Sequence, residues 1–143
     1  MSGLVVLATI GQQRVAIDAA AVEAVIDIVG VEPVPFAPAH VIGLAAVRSQ
    51  VLTVVDTAIA VGLAALEPAG RALVATIAGH RYALRVTSVE DAVPAPSSEP
   101  VFADMLDKGW SRTAVARLPI DDEFALLIDL DRLLASEDGT RSS

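Results

Sequence analysis

The chain has 143 residues and no cysteine, with a net charge of −8 and a sequence pI near 4.5. Nucleic-acid binding needs clustered Lys and Arg, and disulfide or thiolate chemistry needs cysteine, so this composition argues against the first and excludes the second. Hydrophobic residues make up 54% of the sequence, so one domain or two very small lobes can bury an aliphatic core although only 3% of the residues are aromatic.

The first part of the chain predicts three short strands followed by a stiff connector. Continuous or alternating apolar runs indicate the strands, Asp18 is placed to cap a helical turn, and several prolines stiffen the connector. The predicted elements are a strand at Leu4–Ile10, a turn at residues 11–13, a strand at residues 14–18, a helical turn at residues 19–23, a strand at residues 25–29 and the connector at residues 30–38.

The central segment, residues 35–56, predicts a hairpin with Arg48 at or near its turn. An apolar run precedes Arg48, and residues 51–55 after it are rich in the β-branched residues that favour strands. Asp56 then predicts the N-cap of a helix over residues 57–66. Arg48 is the only charged residue between His40 and Asp56. A solvated turn residue and a contact with a partner or with a second lobe both remain open for it.

The second half of the chain repeats the first. Without a gap, Ala8-Thr9-Ile10 aligns with Ala75-Thr76-Ile77, Arg14 with Arg81, and Val22-Glu23 with Val89-Glu90. A period this long, present only twice, indicates two similar lobes rather than a solenoid. We expect a single domain with approximate lobes at residues 1–69 and 70–136, and we leave an exchange of strands between the lobes open.

The end of the chain also resembles the end of the first half. The predicted elements are a linker at residues 94–109, strands at residues 111–118 and Glu123–Ile128, a helix at residues 130–135 capped by Asp129, and a polar tail at residues 137–143. Lobes with four or five short strands hide their edges best as small barrels, so the predicted fold class is all-β with short helices. The predicted core comprises Val5, Leu7, Ile17, Val54, Leu73, Ala75, Ile77, Leu84, Leu126 and Ile128.

The sequence contains no motif for catalysis or for metal binding. His40 and His80 are its two histidines, and neither has a second ligand at helical spacing. A P-loop, a Gly-x-Gly-x-x-Gly fingerprint and a Gly-x-Ser-x-Gly elbow are absent, and a Ser49–His40 nucleophilic pair has only proximity in sequence behind it. We expect no catalytic residue, no metal site and no cofactor. Trp110, alone in a predicted loop, is either a core anchor or a surface contact.

Two features bear on the compartment in which the chain works. The longest uncharged runs fall short of the roughly 20 residues that a membrane-spanning helix needs. Residues 1–13 are apolar but lack the basic segment that begins a signal peptide. We therefore expect a cytoplasmic protein that does not insert into a membrane.

Five segments, taken together and in this order, resemble the CheW-like coupling proteins of bacterial chemotaxis. They cover nearly the whole chain and are residues 15–18, residues 22–25, residues 35–43, residues 47–56 and residues 124–134. The resemblance implies two five-stranded SH3-like β-barrel lobes side by side. It also implies a non-enzymatic adaptor that couples chemoreceptor tips to the histidine kinase CheA, at receptor arrays beneath the inner membrane. In this family a groove between the lobes takes the receptor tip, and one barrel packs against the regulatory domain of the kinase.

The resemblance implies specific contact residues in this sequence. It predicts that a receptor-binding groove is flanked by four residues: Val22, Glu23, Val86 and Val89. It predicts a second contact with the signalling complex at Arg48 and Gly43.

Two other functions stay open. Ser49, Ala24 and Thr87 depart from the family pattern, which leaves open a degenerate paralogue with altered partners. A small ligand- or oligonucleotide-binding β-barrel is the alternative from another class. Such a barrel needs aromatic stacking platforms and a basic groove, and this composition supplies neither.

Overall fold

The computed structural model describes the backbone of residues 3–141 and the side chains of residues 3–102 and 104–135. The first half contributes β1 (Leu4–Ile10), β2 (Gln13–Asp18), β3 (Ala24–Ile28), β4 (Val41–Val47), β5 (Gln50–Asp56) and α1 (Thr57–Ala60). The second half contributes β6 (Gly70–Ile77), β7 (His80–Arg85), β8 (Ser88–Pro94), α2 (Lys108–Thr113), β9 (Ala114–Ile120), β10 (Glu123–Ile128) and α3 (Leu130–Arg141). Single 3-10 turns lie at Ala19–Ala21 and Ala103–Met105.

The ten strands of the described chain form two five-stranded sheets of the same design. Sheet A has the order β8-β1-β2-β10-β9 and sheet B the order β3-β6-β7-β5-β4. Counted within each repeat, both sheets place the strands as third, first, second, fifth and fourth. The pairs β2–β10 and β5–β7 are parallel, and all other strand pairs in these sheets are antiparallel. The predicted all-β class with short helices and two five-stranded lobes is confirmed.

Each sheet combines strands from both halves of the chain. Strand β3 leaves the first half and pairs with β6, from Ala24↔Val74 to Ile28↔Gly70, while β8 pairs with β1. The sheets therefore cross the approximate boundary at residues 69 and 70, through the exchange of strands that the sequence left open. The third, fourth and fifth strands of each repeat join the first hairpin of the other repeat.

Alternation along the strands divides the buried side chains into three clusters. In β1, Val5 and Leu7 pack in a cluster made by sheet A alone, whereas Val6 and Ala8 face a cluster to which both sheets contribute. Sheet B has its own cluster around Val54. Each sheet thus has a hydrophobic cluster of its own on one face, and its other face contributes to the third cluster, which both sheets share. All ten predicted core residues are buried.

Three predicted segments differ from the structure, and two of them were predicted as helices. Helix α1 ends at Ala60 rather than at residue 66, because Gly62 with φ +86° turns the chain away. Residues 108–113 form α2, so the strand predicted from residue 111 begins at Ala114. Helix α3 continues to Arg141, so most of the predicted tail is helical, and residues 142–143 lie outside the described residues.

Helix α2 is fixed by close packing rather than by its own sequence. A Cβ atom on Gly109 would lie 1.9 Å from the carbonyl oxygen of Val61, so only glycine allows this approach. Trp110, the next residue, is buried in the cluster shared by the two sheets. Of the two interpretations of Trp110, the core anchor is correct.

Two buried polar side chains organise the connection from β5 to β6. Asp56 caps α1 as predicted, because its Oδ1 accepts hydrogen bonds from the N–H groups of Ala58 and Ile59, and its Oδ2 accepts one from Leu66. The buried guanidinium of Arg85 donates to the carbonyl oxygens of Glu67 and Arg71, at 2.9 and 2.6 Å. Burial lowers the pKa of Arg85 below its ordinary value.

Candidate functional site

The first part of the candidate site is the rim of the cluster that both sheets share. Val22 follows the 3-10 turn after β2, and Val89 lies near the start of β8. Both side chains are half-buried and pack against this cluster. The two valines, which the repeat aligned, thus occupy equivalent places at the junction of the lobes. Each is partly open to solvent, as a groove contact must be.

Val86 does not share this position, so its predicted role as a groove contact is wrong. Its side chain has no exposed surface and lies inside the shared cluster. The chain reverses between β7 and β8, and this reversal turns Val86 inward. The buried side chain of Val86 packs in the shared cluster and offers no surface for a direct contact.

A cavity of about 360 Å³ is lined by residues of both sheets and by Ala21, the residue before Val22. Sheet A and the turn before β3 contribute Ile17 and Ala21, sheet B contributes Thr76 and Ile77, and the start of α3 contributes Leu130. Sequence reasoning did not select these residues as site residues. The repeat marks Thr76-Ile77 as the counterpart of Thr9-Ile10 in the first half. The cavity itself depends on how one sheet packs against the other, so it could not be predicted from this alignment.

Glu23 is held by a row of polar side chains across sheet B, one of which, Thr76, also lines this cavity. Its carboxylate accepts a hydrogen bond from the Thr76 hydroxyl and pairs with the guanidinium of Arg81 at 2.9 Å. Arg81 also donates to the side-chain oxygen of Gln50, the first residue of β5. The hydrogen bond from Thr76, together with the charge of Arg81, lowers the pKa of Glu23. Glu23 therefore remains a carboxylate, in a fixed orientation next to Val22.

Sheet A carries the equivalent row. Arg14 pairs with Glu90 at 2.7 Å and with Asp121, in the β9–β10 turn, at 3.4 Å. The hydrogen bond to Glu90 raises the pKa of Arg14 above its ordinary value. Because the third strands are exchanged, both Arg–Glu pairs join residues of different repeats. The two rows differ at the end, where sheet B has Arg48 in the turn beyond Gln50 and sheet A has acidic residues.

Arg48 lies at an exposed hairpin turn, as predicted. Arg48 and Ser49 have φ values of +50° and +69°, and Val47 pairs with Gln50, which is the pattern of a two-residue type I′ turn. The side chain of Arg48 is exposed and makes no hydrogen bond or ion pair with any residue of the described part of the chain. It presents a free positive charge two residues from Gln50.

Gly43 has a structural role instead of the predicted contact with a partner. It is buried, its φ is +149°, and a Cβ atom there would lie 2.2 Å from the carbonyl oxygen of Glu32. The connector crosses β4 at this point, where Glu32 and Leu44 exchange backbone hydrogen bonds. Gly43 is needed for this crossing and is not accessible from outside.

The two histidines belong neither to the nucleophilic pair considered above nor to a metal-binding cluster among the described residues. Strand β4 separates His40 from Ser49 by seven residues, a length of about 23 Å, so the two cannot form a nucleophilic pair. His40 and His80 line one cavity of about 260 Å³ with Tyr82. Within the described ranges, no group of His, Cys, Asp and Glu side chains could hold a metal ion. No helix in this part of the chain is long and apolar enough to span a bilayer.

Comparisons with known proteins agree with this architecture. The model of the CheW-like domain family matches residues 4–138. A curated relative, the chemotaxis protein CheW of Rhizobium meliloti (strain 1021), is 27% identical over 135 residues, which cover 90% of this chain and 85% of the relative. The crystal structure of the scaffolding protein TtCheW from Thermoanaerobacter tengcongensis superposes with a TM-score of 0.77 at 21% identity, covering 93% of this chain and 92% of the other. The structural match shows a shared fold.

Proposed function

We propose that this chain, because it belongs to the CheW-like domain family, couples the cytoplasmic tips of chemoreceptors to the histidine kinase CheA. The family consists of non-enzymatic scaffold proteins, so the chain has an adaptor role in chemotaxis and is not an enzyme. The proposed location is the cytoplasm, at receptor arrays beneath the inner membrane. The receptor tip would occupy the junction of the sheets, and the regulatory domain of the kinase would pack against the outside of one lobe.

The position of Val22 and Val89 is the observation that carries this proposal. A receptor tip is a helical hairpin, and a helix binds to a groove by burying one apolar face. The two half-buried valines lie on the rim of the one cluster that both sheets share. Apolar contacts at the centre of such an interface supply most of the affinity, and charges at the rim set orientation and specificity. Glu23, beside Val22, and Arg48, in the exposed turn between β4 and β5, would have that second role.

The experiment compares two valine double variants in binding and kinase assays. Val22→Asp with Val89→Asp should abolish binding to a chemoreceptor cytoplasmic fragment, because each change buries an unpaired charge in the groove. Binding to CheA should remain, since that contact uses another face. The control is Val29→Asp with Val34→Asp, at valines beside and within the connector that are 91% and 38% exposed. Its receptor binding should stay close to that of the unchanged chain.

Normal receptor binding and kinase activation by the folded Val22, Val89 variant would place the receptor contact elsewhere. That result would favour a paralogue with altered partners. Loss of both receptor and CheA binding would instead indicate that the variant is misfolded. Circular dichroism and unfolding midpoints of both double variants therefore accompany the binding data.

A further inference from the structure

A row of four polar side chains crosses sheet B. Glu23, Thr76, Arg81 and Gln50 come from four adjacent strands or their ends, and Thr76 and Arg81 are directly paired in the β6–β7 register. The Arg81 and Glu23 side chains are 41% and 38% exposed. Exposed ion pairs contribute only about 0–1 kcal/mol to stability, so the row adds little to the folding free energy. Its main physical effect is to fix the positions of these four side chains relative to one another.

The two ends of the row are next to the two groups that the proposed function uses. Glu23 follows Val22 directly, and its own N–H donates to the carbonyl oxygen of Val74 at 2.7 Å. Gln50 closes the hairpin turn that carries Arg48 and Ser49. Arg81 lies between them and donates to both. The planar guanidinium holds its donors in a rigid fork, so binding both side chains at once fixes their separation.

We propose that Arg81 is a positioning residue that holds the Arg48 turn in a fixed orientation to the groove beside Val22. The inference rests on the proposed function and deepens it. Val47 packs against the cluster of sheet B at one side of the turn, and the contact between Gln50 and Arg81 holds the other side. The exposed Arg48 side chain, in contrast, has no hydrogen bond or ion pair with a described residue. A fixed turn presents the charge to a carboxylate on the receptor tip without the entropy cost of ordering it on binding.

The chain contains its own control for this role. Arg14 makes the equivalent pair with Glu90 in sheet A, and its second partner is Asp121 in an acidic turn. Removal of Arg14 or of Arg81 deletes one Arg–Glu pair between the two repeats. Only the removal of Arg81 releases the turn that carries Arg48. A purely structural role would give the two variants the same behaviour.

Hydrogen exchange and a double-mutant cycle test the role of Arg81. In Arg81→Ala, backbone amides at residues 47–50 should exchange severalfold faster than in the unchanged chain, whereas in Arg14→Ala they should not change. Arg81→Ala should weaken binding to a receptor cytoplasmic fragment by about tenfold, within the range of coupling found for residues in one network. In the Arg48→Ala background the same change should weaken binding by no more than about twofold, because the charge that it positions is gone.

The outcomes separate this inference from the proposed function. Unchanged exchange at residues 47–50 in Arg81→Ala overturns the inference, whatever the receptor result. The inference is also overturned if the effects of Arg81→Ala and Arg48→Ala on receptor binding are fully additive. It is overturned as well if Arg14→Ala weakens receptor binding as much as Arg81→Ala does and is coupled to Arg48 to the same extent. Failure of the unchanged chain to bind any receptor fragment overturns the proposed function, and the exchange experiment still shows whether Arg81 restrains the turn.

Discussion

Substitution of Asp56 is the sharpest test of how the β5–β6 connection is held. The side chain is 1% exposed and accepts three backbone hydrogen bonds, at 2.9, 3.1 and 2.8 Å, from Ala58, Ile59 and Leu66. Loss of an N-cap costs about 0.5–2 kcal/mol, and loss of a hydrogen bond to a charged group costs about 1.5–3 kcal/mol. Asp56→Ala should therefore lower the free energy of unfolding by about 2–5 kcal/mol.

The repeat supplies the matched control for Asp56. Asp129 precedes α3 in the same way, but it is half-buried, and its Oδ1 accepts from Asp131 and Arg132 at 2.9 and 3.3 Å. Asp129→Ala should cost about 0.5–2 kcal/mol, the usual cost of an N-cap. Asp56→Asn should fall between these values, because an amide oxygen can still cap α1 while its NH₂ group faces the N–H of Leu66.

Denaturant unfolding of the three variants gives the comparison. Midpoints are converted to free energies only where the slopes agree with that of the unchanged chain. An Asp56→Ala variant no less stable than Asp129→Ala would mean that the third hydrogen bond and the burial of Asp56 contribute nothing to stability.

Two further predictions follow from the packing and the charges. Gly109→Ala should cost about 1–3 kcal/mol in denaturant unfolding, because its Cβ would overlap the backbone of Val61, whereas Gly30→Ala, with nothing within 4 Å, should change little. The hydrogen bond from Thr76 lowers the pKa of Glu23 below its ordinary value of 4.5, so this carboxylate contributes stability above pH 4.5 and loses it only as the pH falls further. The stability difference between the unchanged chain and Glu23→Gln should thus be constant from pH 8 to pH 5 and shrink below pH 4.5. A difference that already falls between pH 7 and pH 5 would contradict this.

Local signals predicted the parts of the fold that depend on local chemistry. The strand Leu4–Ile10, the turn at Arg48 and the Asp56 cap each follow from a few adjacent residues, and the structure confirms them. Helix α2 could not be predicted, because a short segment with Gly109 becomes helical only through its contact with Val61. The exchange of β3 and β8 also depends on partners that lie far away in the sequence.

The candidate site was also predictable only where a local pattern in the sequence marks its residues. The alignment of Val22 with Val89 follows from the repeat, and both valines lie on the rim of the shared cluster. Val86 was misplaced because its neighbours in sequence do not reveal which way the chain turns after β7. The role of Gly43 was also hidden, since the connector residue that crosses it, Glu32, is eleven positions earlier. Burial and crossing points of this kind depend on three-dimensional packing.

The most direct test of the central claim is to map where a receptor tip binds. Backbone amide shifts of the isotope-labelled chain would be followed by NMR as a chemoreceptor cytoplasmic fragment is added. We expect the largest shifts to cluster around Val22, Thr76 and Val89, with a second group at the Arg48 turn. Shifts confined to the outer edges of the sheets, with the junction unchanged, would contradict this expectation.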